Sequence, residues 1–114
     1  MSRATAKSAL QKIESAIREL DSVDSRKKSD LIKLLSNLKS EVEHLSKTHV
    51  EQARSIAGFA EIAAHESTRV ENSAHLRKLS LEGLTLSVKG FEASHPNLVE
   101  TVNEICNLLS NIGI

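Results

Sequence analysis

With 114 residues, 39% of them hydrophobic and only Phe59 and Phe91 aromatic, the chain has material for one domain built on leucine, isoleucine, valine and alanine. That palette suits thin helix–helix seams better than a thick globular core. Lysine plus arginine and aspartate plus glutamate balance at 15 each, so no net field draws the chain to nucleic acid or to an anionic membrane. Cys106 is the only cysteine, which excludes an intramolecular disulfide. No apolar run approaches the ~18 residues of a membrane span, and the first residues lack the apolar core of a signal peptide; the expected location is cytoplasmic.

The first predicted helix covers about residues 5–21, where Leu10, Ile13, Ile17 and Leu20 recur at helical spacing and leave Lys7, Glu14 and Arg18 outside. Asp21, Ser22, Asp24 and Ser25 then stop it, because short polar side chains compete for backbone hydrogen bonds. A loop this short makes the next helix an antiparallel neighbour.

The second predicted helix, about 25–66, carries the longest signal in the chain. Leu31, Leu35, Leu38, Val42, Leu45, His49, Gln52, Ile56, Phe59, Ala63 and Glu66 follow alternating steps of four and three, as in a coiled-coil seam. On this reading His49, Gln52 and Glu66 are polar seam residues that fix register and partner number. Between Val70 and Ala74 the pattern slips by four residues, and Thr68–Glu71 and Asn72-Ser73 carry helix-start chemistry. A break or kink is expected near 67–74.

The third predicted helix, about 73–92, continues the seam through Leu81, Leu84, Val88 and Phe91. It adds a second stripe of Leu76, Leu79 and Leu86. Two apolar faces require two partners, which places this helix centrally or at a subunit interface. His95 and Pro96 start the fourth, about 96–112, since proline suits the first helical position and disfavours helical geometry in the residue before it. Its core stripe is Leu98, Val102, Ile105, Leu109 and Ile112, and Gly113 with Ile114 fits a Schellman stop.

The stretch Val88-Lys89-Gly90-Phe91-Glu92-Ala93-Ser94-His95-Pro96-Asn97-Leu98 and the end Leu108-Leu109-Ser110-Asn111-Ile112-Gly113-Ile114 resemble short bacterial helical proteins of domain-of-unknown-function family 4404. In that family a phenylalanine-glutamate pair precedes a histidine-proline-x-leucine turn, and the chain ends on a methionine-glycine-isoleucine type stop. Phe91-Glu92, His95-Pro96-Asn97-Leu98 and Ile112-Gly113-Ile114 match, with Ile112 in place of methionine. The opening helix fits more loosely, and residues 51–72 look like extra length. The resemblance implies a helical fold and bacterial origin, and no activity.

Catalytic and metal chemistry find little support. A helix-borne metal pair needs ligands three or four residues apart on one face, whereas His44 and His49 are five apart and His65 and His75 are ten apart. Cys106 lies late in a predicted helix beside Ile105 and Leu109, without the helix start or cationic neighbour that activates a thiol. Arg26, Lys27, Lys28 and Lys33 form the only basic cluster, locally balanced by Asp21, Asp24 and Asp30 and lacking Trp or Tyr for base stacking. No Gly-rich phosphate loop or Ser-His-Asp set is present.

The expectation is therefore an all-α protein of four helices with a long central coiled-coil-like helix. It is expected to be non-catalytic, without cofactor or metal, and to form a homodimer or tetramer with an unidentified protein partner possible. Nucleic acid and membrane are not expected partners. The expected interface comprises Leu45, His49, Gln52, Ile56, Phe59, Ala63, Glu66, Leu76, Leu79 and Leu86. The alternative is a monomeric bundle that binds a small ligand or metal in a polar interior around His49, Gln52 and Glu66.

Overall fold

A computed structural model of the chain describes residues 3–18, 25–68 and 73–112. It contains five α-helices and, among the described residues, no strand: α1 (Arg3–Arg18), α2 (Ser25–Leu45), α3 (Val50–Thr68), α4 (Ala74–Ser87) and α5 (Pro96–Ile112). The helices pack in the ring order α1, α2, α5, α4, α3, and α3 also crosses to α2 and α5. Helix α3 alone touches every other helix.

The expected four-helix count is corrected to five, because the long central helix is two. It breaks at Ser46–His49, where hydroxyls take the place of helix-continuing contacts. Ser46 Oγ donates to Glu43 O at 2.8 Å, and Thr48 Oγ1 donates to Leu45 O at 3.4 Å. The backbone tightens to three-residue steps, Lys47 N to His44 O and Thr48 N to Leu45 O, before Ala53 N restarts the ladder on His49 O at 2.9 Å. Side-chain hydroxyls bonded to nearby carbonyls offer the chain an alternative to the helix, and four consecutive polar residues have no apolar burial to oppose it. The longest dimension is accordingly 38 Å and the radius of gyration 13.1 Å, close to the ~13 Å of a folded globule this size.

The break expected near 67–74 is present: α3 ends at Thr68 and α4 starts after Ser73, whose Oγ accepts from Leu76 N at 3.3 Å. Helix α4 is shorter than expected. It stops at Ser87, and the chain turns at Gly90, whose φ is +99°. Glu92 Oε2 accepts from Gly90 N at 2.8 Å and steadies this turn. A Cβ at Gly90 would meet nothing within 4 Å, so strain from the left-handed backbone is the cost of any side chain there. Gly90→Ala is expected to lower stability by about 1 kcal/mol, read from the urea midpoint.

The core is the set of stripes that bulky residues mark: Leu10, Ile13 and Ile17 of α1, Leu31, Leu35, Leu38, Val42 and Leu45 of α2, Leu84 of α4 with Val88, and Leu98, Val102, Ile105 and Leu109 of α5. Helix α3 contributes one large side chain, Ile56, and five alanines, Ala53, Ala57, Ala60, Ala63 and Ala64, whose small size lets neighbouring helices come close. Glu14 and Lys39 pair at 3.3 Å, joining α1 to α2. Leu20, the Asp21–Asp24 stop and the Gly113 cap lie outside the described residues.

Candidate functional site

The residues expected to share one interface divide into three groups. Leu45, Ile56 and Ala63 are fully buried inside the chain. His49 and Gln52 are exposed and Glu66 is half-buried, so the expectation that they occupy the seam is corrected. The physical reason is phase: on α3 the buried face is set by alanines, and Gln52, Phe59 and Glu66, seven residues apart, share a line along its outer side. Nor does the structure gather the polar set of the alternative reading. Glu66 lies fourteen residues beyond Gln52 on the same helix, about 21 Å away along its axis.

The third group is the ridge. Leu86 is 64% exposed, Ile62 50%, Leu79 49%, Leu76 43% and Phe59 39%. On α4 the run Leu76, Leu79, Gly83, Leu86 steps by three, four and three residues, one stripe of the helix. Phe59 and Ile62 sit one turn apart on α3. The two helices are joined at Gly83, where a Cβ would stand 2.5 Å from the Phe59 ring. Glycine is what allows that ring to lie down across α4. Phe59, Gly83 and Leu86 then line one shallow cleft together with Glu51, Gln52, Ser55 and Ser87.

This ridge is the second stripe of α4 that the sequence shows. Of the two placements expected, central or at a subunit interface, the central one is not observed, since α4 packs only on α3 and α5. Ile62 and Gly83 escaped sequence reading. Ile62 falls off the four-three seam, and the role of Gly83 depends on a ring supplied by another helix. Using ordinary side-chain areas with these exposures, the five side chains expose on the order of 450 Å². That is about the non-polar share of one side of a standard interface, roughly 800 Å² per partner.

The remaining candidates have ordinary structural roles. Lys28 Nζ donates to Arg18 O at 3.1 Å, placing positive charge at the C-terminal end of α1, where the helix dipole favours it. Arg26, Lys27 and Lys33 are exposed. His95 precedes α5, its carbonyl accepting from Val99 N at 3.3 Å, and Pro96 opens that helix.

Cys106 is half-buried. Its Sγ lies 3.5 Å from Thr85 Oγ1 and donates to Leu81 O at 3.8 Å. Burial pushes the thiol above its ordinary value, and the Thr85 contact only partly opposes this. The thiol is therefore weakly nucleophilic. Iodoacetamide at neutral pH is expected to alkylate the folded chain at least roughly tenfold more slowly than the urea-unfolded chain. Because the folded state holds this proton more tightly, its small stabilising effect is complete below the unfolded thiol's range and is lost as pH rises through the folded value.

No helix is long and apolar enough to cross a membrane, among the described residues. No curated protein and no solved structure matches the chain. One family model does, and it runs from within the first turn of α1 through the ridge to Ile112-Gly113-Ile114. Its match to residues 6–114 places the chain in the family of the domain of unknown function DUF4404.

Proposed function

We propose that this chain is a non-catalytic helical interaction module that associates with a second copy of itself through the α3–α4 ridge. The observation that carries this reading is the ridge: five large apolar side chains left exposed on two adjacent helices, with Phe59 and Leu86 lining one cleft between them. Scattered single apolar residues are normal on a protein surface, while a contiguous patch of several hundred Å² marks an interaction site. The seam of α2 is not available to a partner, because Leu31, Leu35, Leu38, Val42 and Leu45 are covered within the chain. A second copy fits the ridge because an isologous contact needs only one self-complementary patch. The charged groups of the chain balance and leave no field to oppose a like partner.

Light scattering coupled to size exclusion, at two concentrations and with refractive-index detection, tests the proposal. A mass near twice 12.5 kDa is the expected result. A monomer at high micromolar concentration would overturn self-association.

A second reading, small-ligand binding, draws on one feature. A cleft of about 480 Å³ between α1 and α3 has Ile13, Ile17 and Ala64 in its lining, and Lys12, His65 and Glu66 among its polar groups. Apolar lining with a few polar groups is the usual make-up of a ligand pocket. A ligand there would raise the melting temperature, and removing the exposed polar groups of the lining, in Lys12→Ala or His65→Ala, would reduce the rise.

A further inference from the structure

Two glycines lie in the interior of described helices, Gly58 in α3 and Gly83 in α4. Glycine is a poor residue there, because it loses more chain entropy on folding than alanine and leaves the backbone uncovered. Gly83 has a reason within the chain, the Phe59 ring that lies against it. Gly58 has none. Its backbone is ordinary α-helix, without a positive φ. Among the described residues, a Cβ placed on it would meet nothing within 4 Å.

The position of Gly58 shows where a close neighbour would come from. Glu51, Ser55, Gly58, Ile62 and His65 follow steps of four, three, four and three residues along α3, a single stripe of that helix. Gly58 is half-buried and the other four are exposed, so the stripe faces away from the alanine face. The ridge residues Phe59 and Ile62 flank Gly58, one residue and one turn beyond it.

The charges around Gly58 are arranged for an antiparallel copy of the same helix. Glu51 and His65 each stand seven residues from Gly58, on opposite sides, while Arg54 and Glu61 stand four and three residues away. When a second α3 runs antiparallel across the first at Gly58, residues equally distant from it on opposite sides meet. Glu51 then faces the partner's His65, and Arg54 faces the partner's Glu61. Arg54 already pairs with Glu51 of its own helix at 3.7 Å, so the contacts join into one line of alternating groups. A parallel two-fold pairing would instead set Glu51, Arg54 and Glu61 each against its own copy, and opposed like charges are unfavourable.

We infer that α3 of one copy crosses α3 of a second copy antiparallel, with Gly58 at the crossing point. This inference rests on the self-association proposed above and adds to it the place of the two-fold axis and the direction of the helices. At the crossing the missing Cβ lets the two backbones approach, and the approach covers Phe59 and Ile62 on both copies. The charged pairs lie at the exposed rim, where they set orientation more than affinity.

Gly58→Ala and Gly58→Gln test the crossing by sedimentation velocity and thermal denaturation. At dilutions where the chains are monomeric, both are expected to raise Tm by a few degrees, since the new side chain enters open space and favours the helix. Both are expected to raise the dimer's Kd at least tenfold, since the same side chain is forced into the crossing on both copies. Arg54→Glu is expected to raise Kd several-fold, and adding Glu61→Arg to restore it. An unaltered chain that stays monomeric would overturn self-association and the crossing together. A dimer whose Kd is unchanged or tightened by the Gly58 substitutions would overturn the crossing alone, as would a lowered Tm of the monomer. If the charge exchange does not restore Kd, the antiparallel direction is wrong.

Discussion

Leu79→Glu combined with Leu86→Glu is expected to turn the proposed dimer into a monomer while leaving the monomer's own stability within about 0.5 kcal/mol. Both side chains are about half or more exposed in the single chain, so the folded monomer loses little when they become polar. At an interface the balance reverses. Each leucine would remove roughly 100 Å² of apolar surface from water, at about 25 cal/mol/Å², and would do so on both copies of a two-fold dimer. The glutamates would also bring four carboxylates toward a desolvated contact. Since only the surplus over the cost of association appears as affinity, a loss of at least about 4 kcal/mol, a thousandfold in Kd, is expected.

Val50→Glu is the matched control, being comparably exposed yet outside the ridge; it is expected to leave the mass unchanged. Sedimentation velocity at several concentrations reads both. If the double variant remains a dimer, the ridge is not the interface. The contact is apolar, so 0.5 M salt should alter the dissociation constant little, in contrast to the steep salt dependence of phosphate-backbone binding.

Ala60→Leu is expected to be the more damaging change to the fold itself. Ala60 is buried in the face of α3 formed by Ala53, Ile56, Ala57, Ala63 and Ala64, on the helix that touches all four others. Packed interiors have no room for three extra carbons, and overpacking typically costs about 1–3 kcal/mol. Here the contact is between helices held close by small residues, so a loss at or above about 3 kcal/mol is expected. That corresponds to a fall in Tm on the order of 10 °C for a chain of this size. Leu35→Ala provides the comparison from the opposite direction, a cavity beneath a fully buried leucine with a typical cost of about 2–5 kcal/mol. Thermal denaturation followed by circular dichroism measures both. A neutral Ala60→Leu would mean that the helices around α3 separate easily, and the close packing described above would then be wrong.

The sequence determined the helical class, the stripes of α1, α2 and α5, the break before Ala74 and the start at Pro96. These are local matters: bulky aliphatic residues at helical spacing identify a face without reference to any partner, and proline and serine mark helix starts through their own backbone chemistry. In α3 the same logic misleads. The five alanines of that helix lie on one face, but a methyl group marks a face only faintly beside larger side chains, so Phe59, Gln52 and Glu66 set the apparent seam. Packing instead selected the alanines, because small side chains permit the closest helix approach.

The break at Ser46–His49 was likewise legible only as four polar residues, which a long solvated helix could equally have carried. Tertiary structure decided the rest. It left Leu76, Leu79 and Leu86 uncovered by limiting α4 to two neighbours. It laid Phe59 across Gly83 and drew His49, Phe91 and His95 into one cluster. Each of these depends on side chains far apart in the chain meeting, and no local periodicity encodes such a meeting.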